Sequence, residues 1–226
     1  MATMNDTASG LKIAVDPDHG GLRLTVILLF GVLLVITYLI IGALVPSEGG
    51  LNLLAGIAAL VVTVLILQQI EKLLKHHWPS GRAVEIDTSG VRVVHKGKVQ
   101  SAIDANQQVN VLMWRFKIQR RSRVPKGWYV VACALEQEGS YVSAYTFMSP
   151  QQFDAMPASR LFTLLMGKKE LQNQNAERDL RLAGQQRRLH TAETQRWMDG
   201  AEMSITDFEN YVSHLQIQFP KWMPAN

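Results

Sequence analysis

Residues 24–45 read LTVILLFGVLLVITYLIIGALV, 22 positions without a charge. As a helix rising about 1.5 Å per residue, this stretch is roughly 33 Å long. That is enough to cross a hydrocarbon core of about 30 Å. Pro46, Ser47, Glu48, Gly49 and Gly50 then interrupt it with turn formers. A second uncharged stretch, LNLLAGIAALVVTVLILQQI, fills residues 51–70. Its strongly polar members, Asn52, Gln68 and Gln69, sit near the two ends, where a membrane helix meets headgroups and water. Both stretches are apolar all round, unlike a surface helix with one apolar face. The pair predicts a transmembrane hairpin over 24–70 with its turn at 46–50. The first stretch is longer than the apolar region of a secretory signal, about 7–15 residues, and its basic flank is weak.

Outside these stretches the chain has ordinary polarity. Over all 226 residues, 47% are apolar and 19% charged, with a net charge of +4. This composition excludes a disordered chain, and the single cysteine, Cys133, excludes an internal disulfide framework. Cys133 lies in an apolar run that reads as a buried strand. Lysine and arginine placement orients the hairpin. The turn carries none, residues 1–23 carry Lys12 and Arg23, and Lys72, Lys75 and Arg82 follow the second stretch. The positive-inside rule therefore places both termini in the cytoplasm, in a multi-pass protein of the inner or plasma membrane. His76-His77-Trp78 reads as an interfacial segment. Neighbouring helical histidines diverge by about 100° and converge poorly on one ion. Ala55 and Ala59 have the spacing that lets membrane helices approach closely. No acid, base or histidine interrupts either stretch, which argues against a transporter or channel acting alone.

After Pro79 the apolar residues alternate in short runs. Strands are expected over residues 83–87, 91–96, 98–103, 109–118, 128–137 and 141–148, separated by turn signals at Ser89-Gly90, Gly97, Pro125-Lys126-Gly127 and Glu138-Gly139-Ser140. Ser149 and Pro150 suit the cap and first position of a helix. Its apolar face would draw on Phe153, Met156, Leu161, Phe162, Leu164 and Leu165. The fold class is a membrane α-helical hairpin plus an α+β cytoplasmic domain: a small antiparallel β-barrel or bent sheet over 79–166, closed by a helix. A helical C-terminal extension spans 167–226, with eight positive and eight negative charges over 168–226.

Two apolar spans, the opening Val84-Glu85-Ile86-Asp87-Thr88-Ser89-Gly90-Val91-Arg92-Val93, a run of short strands, and the helix start Ser149-Pro150-Gln151-Gln152-Phe153 together resemble a bacterial pleckstrin-homology-like domain behind a two-span anchor. The resemblance covers about residues 22–166. It implies seven strands against the six read here, the seventh arising if 109–112 and 114–118 are separate strands. It further implies a membrane-tethered interaction module without catalytic residues.

The densest functional signal is the segment from Trp114 to Trp128. Six of the twelve residues over 115–126 are cationic: Arg115, Lys117, Arg120, Arg121, Arg123 and Lys126. Three destinations fit them: solvent at a hairpin tip, anionic headgroups at about 1 kcal/mol per near-surface cation, or an acidic surface on a partner protein. Nucleic acid is an unusual target for a chain with such an anchor. A second candidate contact is the stripe Ile205, Phe208, Val212 and Leu215, widened by Tyr211, on a helix capped by Ser204. The stripe either returns to the sheet domain or docks on a partner. No phosphate loop, metal-ligand spacing or nucleophile motif appears. No cofactor, metal or catalytic residue is therefore expected. The expected role is a scaffold or accessory subunit of a membrane complex, in contact with lipid and with other subunits or its own copies. The alternatives are a membrane-bound enzyme with an unrecognised site, and a channel or transporter subunit that functions only as an oligomer.

Overall fold

The computed structural model describes residues 10–17, 20–44, 52–119, 124–167 and 180–223. The chain divides into two units. One is Asp16–Ser80; the other joins the residues up to Val15 to those from Gly81 onward.

The first unit holds helices α1 (Gly20–Leu44) and α2 (Leu53–His77), each long and apolar enough to cross a membrane. The turn residues 46–50 lie outside the described residues. Most large side chains on the two helices are exposed, as surfaces meant for an apolar solvent would be. The buried positions form a narrow seam: Ala55, Ala59 and Thr63 follow one another at four-residue intervals on α2 and are fully covered. Thr37 of α1 meets them, its hydroxyl 2.8 Å from that of Thr63. Small residues bring the backbones close, and the hydroxyl pair gives two polar groups a partner away from water. Asn52 caps α2 by accepting from Ala55 N at 3.0 Å. The helix runs past residue 70 through Glu71 and Lys75, an ion pair of 2.9 Å.

The second unit contains two sheets. The first has the order β1 (Leu11–Ala14), β2 (Arg82–Asp87), β3 (Gly90–His95) and β4 (Lys98–Asp104), all antiparallel. The second is built on the meander β5 (Asn110–Lys117), β6 (Tyr129–Gln137) and β7 (Ser140–Met148). Two-residue strands β8 (Thr163–Leu164) and β9 (Ala201–Glu202) extend it in parallel at its two edges. The sheets do not close into a barrel. At one corner the Gln137 side chain joins them, accepting from Asp104 N at 2.9 Å and donating to Asp104 O at 2.8 Å.

The hairpins follow from local chemistry. Lys96-Gly97 and Glu138-Gly139 both have positive φ at both positions, the type I′ geometry that matches strand twist. At the β2–β3 turn, the Asp87 carboxylate accepts from Ser89 N, Ser89 Oγ and Gly90 N. Gly90 has φ +147°, and a Cβ there would lie 1.9 Å from the Ile103 carbonyl oxygen.

Two sequence expectations change. Residues 109–118 do not divide into two strands, since β5 is continuous. A strand outside the six expected, β1, precedes the first apolar helix and pairs along its length with β2. The helix begun by Ser149 is α3 (Pro150–Ala155) alone. Met156 precedes Pro157 and turns extended, as the residue before proline tends to, so Leu161 and Leu164 fall in a 3₁₀ turn and β8. The packing of the C-terminal helices was open in the sequence, and their described residues pack on the sheets. Helix α4 (Leu180–Asp199) lies on the outer face of the second sheet, and α5 (Ile205–Gln218) fills the core between the sheets. Residues 168–179 lie outside the described residues.

Candidate functional site: a basic recess at the end of the second sheet

Strand β5 alternates between two apolar environments. Met113 faces the main core, while Trp114 faces α4 with Ala132, Ala134, Leu189 and Ala192. A buried indole needs a partner for its N–H, and Trp114 Nε1 donates to Glu193 Oε2 at 2.9 Å. Arg196 binds the same carboxylate through Nε (2.8 Å) and a terminal nitrogen (2.7 Å) and lies over the Tyr145 ring at 4.5 Å. Gln186, also buried, donates to Leu164 O and accepts from Met166 N, both at 3.0 Å. Its amide thus acts as the next peptide beyond β8. These polar contacts explain why so polar a helix lies against a sheet, which its composition concealed.

The same packing shapes the end of β5 where the basic segment begins. Arg115 is half-buried, its guanidinium 4.8 Å from the Tyr129 ring centre and 4.6 Å from that of Phe153. These two rings meet edge to face at 5.6 Å. Arg115 Nε is buried without a hydrogen-bond partner among the described residues. Lys117 is exposed opposite Tyr129 in the register. The hairpin continues beyond the strands, with Ile118 N donating to Trp128 O at 2.8 Å and Gly127 N to Ile118 O at 2.9 Å. Lys126 is exposed nearby. Arg120, Arg121 and Arg123 lie outside the described residues.

Beside this segment is a recess of about 820 Å³. Arg115, Lys117 and His190 supply its basic groups, and Leu164, Leu165 and Met166 form much of its apolar wall. Among the described residues no carboxylate lines it. His190, on α4, and the wall over 164–166 were not legible as site residues. A histidine in a polar helix and leucines assigned to another helix give no local signal. A second recess, about 920 Å³, lies between α5 and the 154–161 segment. Asp154 and Glu209 share its lining with Arg160, so it has no single charge preference.

The second candidate contact has a different outcome. Phe208, Tyr211, Val212 and Leu215 are buried in the main core, and Ile205 packs against it. The stripe therefore returns to its own sheet domain. Phe219 and Trp222 stack at 3.9 Å just beyond it. Cys133 is enclosed in the same core, where burial pushes its thiol pKa up to about 12. Burial likewise raises the Tyr211 phenol well above its ordinary value. Among the described residues no three His, Cys, Asp or Glu side chains converge as a metal site.

In comparison with known proteins, the chain matches no protein-family model, no curated protein and no solved structure.

Proposed function

We propose that this chain is a non-catalytic membrane-tethered scaffold or accessory subunit of a membrane protein complex. Helices α1 and α2 anchor it in the inner or plasma membrane, with both termini on the cytoplasmic side. A pleckstrin-homology-like domain presents the basic hairpin, residues 115–126, to an acidic protein surface or anionic lipid.

The observation that carries this reading is the pairing of such an anchor with cations left available. Arg115, Lys117 and Lys126 have no carboxylate partner among the described residues. The antiparallel runs β1–β4 and β5–β7 with a helix in the core support an α+β sheet domain. Topology is supported by β1. Val15 N donates to Arg82 O at 3.0 Å, so the chain segments before α1 and after α2 belong to one sheet. Helices that cross a bilayer between those strands must leave and return on the same side. Removal of α1 as a signal peptide would also strip a strand from the domain.

The test is crosslinking in native membranes from residues 117 and 126, followed by identification of the neighbours. A defined protein neighbour is expected, with alanine at Arg120, Arg121, Arg123 and Lys126 weakening its capture or the binding of the full chain to anionic vesicles. Absence of any neighbour, with vesicle binding unchanged by those replacements, overturns the reading. So does digestion of the sheet domain by protease added outside intact cells.

A further inference from the structure

We propose that the recess bounded by Arg115, Lys117, Leu164, Leu165, Met166 and His190 is a binding site for a single anionic amphiphile, one phosphate or carboxylate carried on an apolar body. The inference shares two cations with the contact surface above but does not depend on it, since every lining residue belongs to the sheet unit.

Three features select this chemistry. The first is charge: three basic side chains border the recess, and among the described residues no carboxylate does. Arg115 and His190 each hold a buried nitrogen, Nε and Nε2, with no hydrogen-bond partner among the described residues. The stacked guanidinium is fixed by two rings instead of by an acid, so its charge remains available to an incoming anion. The second is the wall. Leu164, Leu165 and Met166 offer an apolar surface that an inorganic anion would leave wet. The third is preorganisation. The wall is pinned at each residue, because Leu165 N donates to Arg115 O at 2.8 Å and Gln186 binds Leu164 O and Met166 N at 3.0 Å. A wall already in place loses little ordering entropy when a ligand binds. At about 820 Å³ the space matches a small ligand with an apolar body.

The full chain in zwitterionic phosphatidylcholine nanodiscs, titrated with octyl phosphate in a calorimeter against empty nanodiscs, tests the site. Saturable one-to-one binding is expected, with octanol and inorganic phosphate each at least about tenfold weaker. Lys117→Gln combined with His190→Gln is expected to weaken octyl phosphate by about tenfold or more. Leu164→Trp, which fills the recess and keeps all three basic groups, is expected to do the same. Both variants change side chains at the rim of the fold, and equal thermal unfolding midpoints establish that they remain folded. Octyl phosphate binding no tighter than octanol, or equal binding by wild type and Leu164→Trp, overturns the proposal. Repeating the titration in phosphatidylglycerol nanodiscs separates the ligand's sources, since loss of the signal assigns the site to a bilayer lipid and its retention to a free amphiphile. Neither result bears on the protein neighbours found by crosslinking, so this site and the scaffold role fail separately.

Discussion

Glu85 sits between two cations across the first sheet. Lys12 Nζ of β1 lies 3.0 Å away, and Arg92 Nε of β3 lies 2.9 Å away. The Lys12 hydrogen bond does most to hold the Glu85 carboxyl below the ordinary range; partial burial opposes it and Arg92 adds to it. Asp87 is lowered too, chiefly by the Ser89 hydroxyl and backbone, with Arg92 contributing. A carboxylate whose pKa is depressed on folding stabilises the native state at pH above its unfolded value. That contribution is lost as pH falls through the folded value. Acid unfolding monitored by circular dichroism should therefore begin below about pH 5, and Lys12→Gln should move the transition to higher pH. Arg196 makes a more buried contact, only 6% of its surface being exposed. Arg196→Ala leaves Glu193 without its cation beside the Trp114 indole and should cost about 2–4 kcal/mol in a denaturant titration. Arg196→Lys should restore only part of this, because an ammonium cannot bind both carboxylate oxygens in the same planar fork.

Helices α4 and α5 follow different rules. Helix α5 obeys the usual one, with apolar residues at helical spacing facing a core and Ser204 accepting from Asp207 N at 3.1 Å to cap it. Phe208→Ala should destabilise by about 3–5 kcal/mol, whereas Ile217→Ala, at a position 77% exposed, should change the unfolding midpoint little. Helix α4 breaks the rule, since Gln186 and Arg196 occupy buried positions beside Leu189 and Ala192. Its hydrophobic pattern reads as a solvent-exposed helix because two of its inward positions are polar. Hydrogen bonds make their burial tolerable: Gln186 binds residues 20 and 22 positions away, and Arg196 binds Glu193, which also accepts from Trp114. The strands of the two meanders were legible within a residue or so because alternation and two-residue turns are local properties. The short strands β8 and β9 were not. They exist only because another strand offers a free edge.

The two units of the chain are interleaved in sequence. The apolar helix pair lies between β1 and β2, neighbours in one sheet. Damage upstream of the first helix should therefore be felt in the domain downstream of the second. Ile13 is buried in the main core, and Ile13→Asp should cost about 3 kcal/mol or more by burying an unpaired charge. Limited proteolysis of the purified full chain would show this as faster cleavage within residues 82–148. The alternation of Leu11, Ile13 and Val15 with Lys12 and Ala14 already carries the strand signal. Four residues ahead of a long apolar stretch read as a lead-in, because nothing local says that the matching strand lies 70 residues on. The basic segment was legible in the same partial way. Its charge is written in the composition, but the recess beside it is assembled from β5, β8 and α4.

From the amino-acid order alone came two apolar stretches of bilayer-spanning length, the meanders with their tight turns, the helix stripe from Ile205 to Leu215 and the cluster of cations over 115–126. Each rests on periodicity, charge or turn chemistry within a few neighbouring residues. Folding in three dimensions determined that β1 completes the first sheet, that α5 closes the core while α3 stops after six residues, that a polar helix covers Trp114, and that Arg115, His190 and the 164–166 wall share one recess. Those outcomes depend on pairings between distant segments. The energy of burying a glutamine, an arginine or an indole N–H is set by the partner that arrives, and no local pattern names it.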